Sequence, residues 1–429
     1  MEYKPIIIQW KEFNIPALLP RHISAEIHPE FITAITGPRR AGKTYFCFQL
    51  IQQLLQKGVS KENILYLNFE DNKLLDATAD DLDILLQCYE ELSELNKRQH
   101  VYLFCDEIQT VTHWDAWVRK IHDIRKDIHL ILTGSSSKLL SKEISTTLRG
   151  RVINIEILPL SFKELLHWNQ ITYALKTLSY SREKIAVKKV FSEFISTGGY
   201  PALAINKQLP RETILQSYYD SILFKDIIER HTIGDVKKLK SLAQFLFESV
   251  SHEMSYNKLA HKLTSLGFSI SKNTIIEYIS YFEDAYLFFQ NMKYEYSFTK
   301  QLGSIKKIYC IDNGLLNSAS FKFSQNTGKL LENTVFIELK RRKHTVYYHR
   351  KNYECDFLTV NKNAVASCIQ VTANINEENQ QREIRGLLEA LYAHHLSEGF
   401  ILTEDQEERR TIDNKKIYII PVWKWLLEN

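Results

Sequence analysis

Apolar and polar positions over the first 157 residues alternate between two periods. Short runs rich in apolar residues, typical of buried strands, occupy residues 31–36, 64–69, 101–107, 129–135 and 152–157, and the runs at 101–107 and 129–135 end in polar residues. Helical periodicity covers the intervening residues 44–56, 80–95 and 114–125. Strands that alternate with helices predict an α/β fold with a parallel sheet.

The pattern changes after residue 158. Residues 161–205 are mostly helical, with a break at Gly198-Gly199-Tyr200-Pro201. Three helical segments and two strand-like segments follow, at residues 237–250, 255–266, 271–285, 287–296 and 306–311. Three helices before a hairpin predict a winged helix-turn-helix, in which the third helix often enters the major groove of DNA. From Gly328 onward the pattern is helix, three strands, helix and strand, which predicts a further α/β domain.

A chain of 429 residues is too long for one core, so several domains are expected. The predicted domains are a nucleotide-binding core at 1–158, a helical lid with a connecting helix at 159–235, a winged helix-turn-helix at 236–315 and a C-terminal domain at 316–429.

The amino-acid composition indicates only the broad class of the protein. The hydrophobic content of 44% and charged content of 25% are those of a globular protein. No apolar run approaches the length of a transmembrane helix, and the first residues lack the features of a signal peptide. The six cysteines are scattered without a C-x-x-C pair, so we expect a reducing cytoplasm, no disulfides and no zinc site. A net charge of +4 permits a nucleic-acid partner without arguing for one.

Residues 32–44, ITAITGPRRAGKT, contain the full G-x-x-x-x-G-K-[ST] pattern of a loop that binds nucleoside triphosphates. Glycines let the backbone turn its N–H groups toward phosphate, Lys43 reaches the β- and γ-phosphates, and Thr44 offers a hydroxyl to Mg²⁺. A glycine turn without function is the weaker alternative, because the motif lies between a predicted strand and a predicted helix. The predicted ATP-binding residues are Gly37, Pro38, Arg39, Arg40, Ala41, Gly42, Lys43, Thr44 and Tyr45. Of these, Arg39 and Arg40 occupy variable positions of the motif and are expected to face solvent.

Two acids end the apolar run VYLFCDE, where ligands of open α/β sheets bind. We expect Asp106 to hold Mg²⁺ and Glu107 to polarise the attacking water; two solvated acids are the alternative. In P-loop ATPases of the additional-strand type, a polar residue on the next strand senses the γ-phosphate, and Thr133 and Ser135 are the candidates. Ser135 fits equally well as a helix cap.

Arg151 lies directly before the last apolar run, in the position of an arginine finger that reaches a neighbouring subunit's phosphoryl group in ring ATPases. Arg149 is a second candidate. Either arginine could instead cap a helix or bind a nearby acid. The finger interpretation predicts a homo-oligomer, a ring or at least a dimer.

The segments GPRRAGKT, VYLFCDEIQTVTHWDAWV, LILTGSSSKLLS, LRGRVINIEILPLSFKELL, STGGYPALA, YYDSILFKDIIERHTI, NTIIEYISYFEDAYLF, KIYCIDNGLL and GKLLENTVFIEL together span nearly the whole chain. With these segments the chain resembles the AAA-type ATPases of bacteria and archaea that carry a C-terminal DUF4143 domain. The resemblance implies an AAA+ core that uses ATP and Mg²⁺, a helical lid, a winged helix and a C-terminal domain similar to the restriction-endonuclease-like fold.

A nuclease of that fold places an acid on its first helix, an aspartate at a strand start and a [DE]-x-K motif on the next strand. Glu332 and Asp356 match the first two positions, and Gln370 can still supply an oxygen. Thr372 replaces the lysine, and Glu354 does not repair the loss. We therefore expect a retained fold without cleavage; a surface salt-bridge role is the alternative for Glu332 and Asp356.

The strongest basic cluster of the chain lies within residues 340–351, and Lys272 and Asn273 lie at the leading end of the third predicted helix, which has no arginine. The candidate DNA contacts are Lys272, Asn273, Lys340, Arg341, Arg342, Lys343, Arg350 and Lys351. A solvated helix end is the alternative for the cluster 340–351, and winged helices also dock proteins. Two functions remain open: an ATP-driven motor that acts on duplex or branched DNA, and a nucleotide-gated switch that docks a protein partner.

Overall fold

The computed structural model of the protein describes residues 3–136, 150–320, 326–362 and 364–428. The chain divides into an N-terminal unit, Met1–Leu158 with Asp284–Tyr286, and a C-terminal unit, Pro159–Glu283 with Leu287–Asn429. Each unit has its own buried apolar cluster.

The N-terminal unit is built on a parallel sheet of five strands in the order β2-β3-β4-β1-β5. The strands are β1 (Ile32–Thr36), β2 (Ile64–Asn68), β3 (Val101–Asp106), β4 (Ile128–Gly134) and β5 (Val152–Glu156). The helices are α1 (Lys4–Glu12), α2 (Lys43–Gln56), α3 (Ala79–Leu92) and α4 (Trp114–Ile124). Strands β1 and β4 are buried along their whole length, because helices cover both faces of such a sheet. The predicted α/β fold with a parallel sheet is confirmed for this unit.

The register of the sheet aligns the carboxyl ends of the strands that carry the predicted chemistry. Thr36 at the end of β1 is paired with Gly134 of β4, and Cys105 of β3 with Leu132 of β4. The loop after β1, the acids after β3 and the polar residues ending β4 therefore meet at one edge. This edge is where open α/β sheets bind ligands.

The C-terminal unit contains a mixed sheet of nine strands in the order β13-β14-β12-β11-β10-β9-β7-β8-β6. The strands are β6 (Glu253–Met254), β7 (Phe288–Lys293), β8 (Lys306–Cys310), β9 (Thr345–Arg350), β10 (Glu354–Asn361), β11 (Ala364–Val371), β12 (Glu398–Thr403), β13 (Glu408–Ile412) and β14 (Lys415–Pro421). The described helices of this unit are α5 (Phe162–Trp168), α6 (Glu183–Thr197), α7 (Pro201–Ile205), α8 (Arg211–Ser221), α9 (Val236–Glu248), α10 (Tyr256–Ser265), α11 (Lys272–Asp284), α12 (Phe298–Gly303), α13 (Asn313–Ala319), α14 (Thr327–Arg341), α15 (Gln380–Ala393) and α16 (Val422–Trp425). A π-helical segment, Ile222–Glu229, continues α8.

The three helices and the hairpin predicted for 236–315 form, as α9, α10, α11, β7 and β8. The hairpin does not stand apart, since β7 also pairs in parallel with β9, Met292 lying opposite Tyr347. One sheet thus runs across the predicted boundary between residues 315 and 316. The winged-helix and restriction-endonuclease-like assignments stay predictions.

None of the described helices has both the length and the apolar character needed to cross a bilayer.

Candidate functional site

The loop between β1 and α2 has a backbone that requires its glycines. Gly37 has φ +150°, and a Cβ there would lie 2.1 Å from the carbonyl oxygen of Ile157. Gly42 caps the N-terminus of α2 in the left-handed region, with φ 98°. Both positions therefore exclude larger residues. The loop opens onto the N-terminus of a 14-residue helix, where backbone N–H groups and the helix dipole favour a bound anion.

Arg21, which the sequence analysis did not single out, fixes this loop from behind. Its buried guanidinium donates hydrogen bonds to the carbonyl oxygens of Ala41, at 2.9 Å, and Leu158, at 2.7 Å. Its backbone N–H donates to Oε1 of Gln49 at 2.8 Å. The side chain thus joins the phosphate loop to the segment after β5, and the backbone of the same residue adds helix α2.

Lys43 is held inside the loop and is only 5% exposed. Its ammonium nitrogen lies 3.1 Å from the carbonyl oxygen of Gly37, 3.3 Å from that of Pro38 and 3.2 Å from Oε1 of Glu107. These contacts keep the cation at the mouth of the loop, where a phosphate would compete for it.

Asp106 is the centre of a cluster of hydroxyl groups. Thr44 donates to its Oδ2 at 2.7 Å and Tyr66 to the same oxygen at 2.6 Å, while Thr133 donates to Oδ1. Burial raises the pKa of Asp106, and the three hydroxyl donors oppose that rise. The carboxylate and the Thr44 hydroxyl are the hard oxygen donors that Mg²⁺ prefers, so the residues present fit this ion.

Glu107 sits in the left-handed backbone region, with φ 55° and ψ 43°, which is uncommon for a residue other than glycine. Its backbone N–H donates to Thr133 Oγ1 at 2.8 Å, and its Oε2 accepts from Gln109 Nε2 at 2.5 Å. Burial alone would raise the pKa of Glu107, but Lys43, Gln109 and Arg39 together bring it below its ordinary value. The side chain is therefore an ionised base aimed at the loop.

Thr133 lies on β4, and Ser135 follows directly after that strand. Thr133 bridges Asp106 and the backbone of Glu107, as described above, and Ser135 is also fully buried. Tyr66, Gln109 and Arg21 were not predicted as site residues, because neither the phosphate-loop pattern nor the acid pair gives them a role. Gln109 does lie within the segment VYLFCDEIQTVTHWDAWV that carries the family resemblance, and Tyr66 lies on a strand of the sheet.

The remaining predicted residues lie around this centre. Arg39 is partly buried and pairs with Glu70 at 2.7 Å, so the expectation that it faces solvent is wrong. Arg40 and Tyr45 are exposed. Arg151 pairs with Asp123 at 2.6 Å, which is the alternative in which it binds a nearby acid. Arg149 lies outside the described residues.

A second charged centre occupies the sheet of the C-terminal unit. The buried ammonium of Lys307, only 1% exposed, lies 3.0 Å from Glu332, 2.6 Å from Glu354 and 2.8 Å from Asp356. Tyr309 donates a further hydrogen bond to Glu332 at 2.7 Å. We call these four charged residues the Lys307 centre. Glu332 and Asp356 are buried, so the alternative of a surface salt-bridge role is wrong.

The amide and backbone groups around the Lys307 centre complete its hydrogen bonds. Asp356 Oδ2 accepts from the N–H of Val371 at 2.9 Å, and Gln370 donates to Glu383 at 2.7 Å while accepting from the N–H of Asp356 at 3.3 Å. Thr372 hydrogen-bonds a nearby carbonyl and takes no part. Thr372 leaves β11 without the lysine of the motif, as the sequence indicates, and Lys307 of β8 is the cation that lies among Glu332, Glu354 and Asp356.

The pKa values of the Lys307 centre reflect its excess of negative charge. Burial, together with Asp356, raises the pKa of Glu332 to about 8, against the opposing effects of Lys307 and Tyr309. Burial opposes the charge on Lys307, but the carboxylates outweigh it and raise the pKa of the ammonium. At neutral pH Glu332 therefore holds a proton, and this proton brings the net charge of the cluster closer to zero.

The basic segment 340–351 is largely neutralised within the C-terminal unit. Arg341 and Arg342 both bind Glu338, and they also donate to backbone carbonyls. Lys340 lies over the ring of Phe289, and Arg350 pairs with Glu253 and Glu354. Four of the residues predicted to contact DNA are exposed and form no ion pair within the described part of the chain: Lys272, Asn273, Lys343 and Lys351.

Comparison with known proteins gives two close relatives, neither with a described function. An uncharacterized protein of Methanocaldococcus jannaschii, MJ1544, is 40% identical over 96% of this chain and 91% of its own length. An uncharacterized protein of Haemophilus influenzae is 33% identical over 93% of this chain and 95% of its own length.

Two family descriptions match parts of the chain. Residues 29–166 match an AAA domain, AAA_14, so the prediction of an AAA-type ATPase domain is confirmed. Residues 188–326 match a domain of unknown function, DUF8612, and not the expected DUF4143. The family name drawn from the resemblance is therefore not confirmed.

Solved structures match at low similarity. A DNA polymerase III gamma subunit-related protein of Thermotoga maritima has a TM-score of 0.26 and 12% identity, covering 60% of this chain and 95% of its own. AMPPCP-bound DnaA from Aquifex aeolicus has a TM-score of 0.23 and 13% identity, covering 61% of this chain and 83% of its own. Similarity at these scores supports no argument about function.

Proposed function

The chain belongs to the family of the relatives from Methanocaldococcus jannaschii and Haemophilus influenzae, and we propose that it hydrolyses ATP in its N-terminal unit and couples turnover to action on DNA. The observation that carries the ATPase proposal is the meeting of four groups at one sheet edge. These are the loop lysine Lys43, the hydroxyl of Thr44, and the carboxylates of Asp106 and Glu107. Their mutual distances require no large rearrangement before a triphosphate binds.

The residues would act as follows. Backbone N–H groups of the loop and Lys43 bind the phosphates, so that the ammonium exchanges Glu107 for a phosphate oxygen. Thr44 and Asp106 would hold Mg²⁺, which supplies positive charge to the phosphates when bound. Glu107 then has a free oxygen that accepts a proton from the attacking water.

Action on DNA is the finer part of the proposal. The net charge of +4 and the exposed lysines at 272, 343 and 351 support it, since phosphate contacts dominate non-specific DNA affinity. We propose that the Lys307 centre does not cleave DNA, because its carboxylates are already satisfied by an internal cation.

The internal pairing of Arg341, Arg342 and Arg350 favours a second candidate function, a nucleotide-gated switch that docks a protein. The segment between β7 and β8 exposes three large side chains, Tyr296, Leu302 and Ile305. Exposed apolar side chains suit contact with a protein better than contact with DNA. The homo-oligomer remains a proposal with Arg151 as its candidate finger, which would have to leave Asp123 to reach a neighbouring subunit.

The test is an ATPase assay with duplex, branched and no DNA, run beside a size measurement with ATP bound. Lys43→Ala should abolish nucleotide binding, whereas Lys120→Ala, which removes an exposed lysine paired with Asp83 at 2.7 Å, should not. If the Lys43→Ala protein binds ATP like the wild type, the ATPase proposal fails.

Charge reversal at Lys343 and Lys351 separates the two candidate functions. Both side chains are exposed, so Lys→Glu there should weaken salt-sensitive DNA binding without unfolding the protein. Reversal of Lys225, which is also exposed and pairs with Glu229, is the matched control. Wild-type ATPase rates that do not change across a DNA titration would favour the switch.

A further inference from the structure

Gln109 lies two residues after Glu107 in the chain, and its side chain contacts that of Glu107. Neither the phosphate-loop pattern nor the acid pair gives it a role. Its Nε2 donates to Glu107 Oε2 at 2.5 Å, and the charge of the carboxylate fixes the amide with its NH₂ group on that side. The other end of the amide, Oε1, is buried and has no hydrogen-bond partner among the described residues. A buried acceptor without a donor is uncommon in proteins and needs an explanation.

The backbone holds the Gln109 side chain in this place. Glu107 in its left-handed conformation begins a short 3₁₀ turn, Ile108–Thr110. The turn is closed by a hydrogen bond from the N–H of Thr110 to the carbonyl oxygen of Glu107 at 3.2 Å, and the Thr110 hydroxyl also donates to this oxygen at 3.1 Å. The turn thus fixes the backbone of residues 107–110, and the hydrogen bond from amide to carboxylate links the side chains of Gln109 and Glu107.

The ion pair with Lys43 gives Gln109 a defined task. Without nucleotide, Lys43 holds Oε1 of Glu107 and Gln109 holds Oε2. A triphosphate draws Lys43 to its own oxygens, so Glu107 loses its nearest cation and keeps the hydrogen bond from Gln109. That bond favours the ionised carboxylate and stops it from rotating.

A water molecule that enters beside Glu107 has two O–H groups to place. The freed Glu107 Oε1 can accept one, and the unpartnered Gln109 Oε1 can accept the other. We propose that Gln109 is a positioning residue for hydrolysis, which orients both the Glu107 carboxylate and the attacking water. This inference rests on the proposed ATPase function.

The reaction that Gln109 serves is balanced. The water oxygen forms a bond to the γ-phosphorus, and the bond from that phosphorus to the β–γ bridging oxygen breaks, its electron pair leaving on ADP. One water proton passes to Glu107 and then to solvent, and the other stays on the released phosphate. Gln109 exchanges no proton in this sequence.

The test compares Gln109→Leu, which removes both hydrogen-bonding ends, with Gln87→Leu. Gln87 likewise donates to a glutamate, Glu91 at 3.0 Å, on the exposed face of α3. We expect Gln109→Leu to lower kcat by about 100-fold, as for a misplaced reactant, with the Kd for a non-hydrolysable ATP analogue within about twofold of wild type. Gln87→Leu should leave both values unchanged. Gln109→Met, which keeps the length of the side chain, is measured in parallel in case the leucine variant does not fold.

The split between kcat and analogue binding is a measurement that a purely structural role of Gln109 would not produce. An unchanged or increased kcat in both Gln109 variants, or a loss of analogue binding equal to the loss of rate, would overturn the inference. Absence of ATP hydrolysis by the wild type would overturn the proposed function instead.

Discussion

The two buried lysines, Lys43 and Lys307, are both surrounded by oxygen atoms, yet they are held very differently. Lys43 contacts one carboxylate at 3.2 Å and two carbonyl oxygens at 3.1 and 3.3 Å. Lys307 contacts three carboxylates between 2.6 and 3.0 Å. The first set of contacts is longer and includes one carboxylate, whereas the second is shorter and includes three carboxyl groups, of which Glu332 has a raised pKa.

This difference separates a site that can exchange partners from one that cannot. A phosphate gives Lys43 more charge than it loses, and Glu107 keeps Gln109 when the lysine leaves. Removing Lys307 would leave the buried Glu332 and Asp356 without their counterion, which is costly, while the half-buried Glu354 would keep Arg350. We therefore interpret the first centre as reactive and the second as part of the core.

The largest expected effect is on the reactive centre. Glu107→Gln keeps the shape of the side chain but cannot take a proton, so kcat for ATP should fall by about 10²- to 10⁴-fold while ATP still binds. The control is Glu62→Gln, which neutralises the glutamate paired with Lys11 at 2.7 Å. Steady-state ATPase rates measure the effect, and a loss below tenfold would show that Glu107 is not the base.

The core centre should respond most in stability. Lys307→Met leaves buried carboxylates unpaired and should lower the free energy of unfolding by about 3–5 kcal/mol. Lys43→Met breaks contacts mainly to carbonyl oxygens and should cost about 1 kcal/mol. Urea unfolding monitored by circular dichroism measures both, and equal losses would remove the distinction between the two centres.

The sequence predicted the reactive centre more completely than the core centre, for a physical reason. Phosphate binding requires a local backbone shape, so its residues must lie close together in the chain. The sequence pattern therefore shows all four of them: Gly37, Gly42, Lys43 and Thr44. Lys307 meets Glu332 across the sheet and the helix α14, and no local constraint marks it within the strand KKIYC.

The fold shows the same division between local and long-range information. Helix and strand periodicities predicted the five strands of the N-terminal sheet and several helices and strands of the C-terminal unit, but not α1, β6, β13 or β14. Pairing of β7 with β9 depends on contacts between residues more than 50 positions apart, such as Met292 and Tyr347. Periodicity carries no information about that pairing, so the continuity of the nine-stranded sheet was not predicted.

A smaller effect is expected from Arg21, which keeps the phosphate loop in the shape that leaves Lys43 exchangeable. Arg21→Leu leaves the carbonyl oxygens of Ala41 and Leu158 without their donor. We expect a loss of about 2 kcal/mol in the free energy of unfolding and weaker binding of ATP analogues. Replacement of the exposed Arg98 by leucine is the control. Equal ATP affinity in wild type and the Arg21 variant would show that the loop does not depend on this clamp.

The smallest expected change, counted per pH unit, is a pH dependence in the Lys307 centre. Its most perturbed carboxyl, Glu332, has a pKa raised from 4.5 to about 8 in the folded protein. A carboxyl with a raised pKa binds more protons when folded, so its contribution to the free energy of unfolding falls as the pH rises through this window. Glu332→Gln cannot ionise and escapes that fall. The stability of the variant relative to wild type should therefore rise with pH between about 5 and 8, by at most about 1.4 kcal/mol per pH unit. Urea unfolding at several pH values measures this difference. A constant difference would mean that Glu332 is already ionised at pH 5 and that Lys307 compensates all three carboxylates without a shared proton.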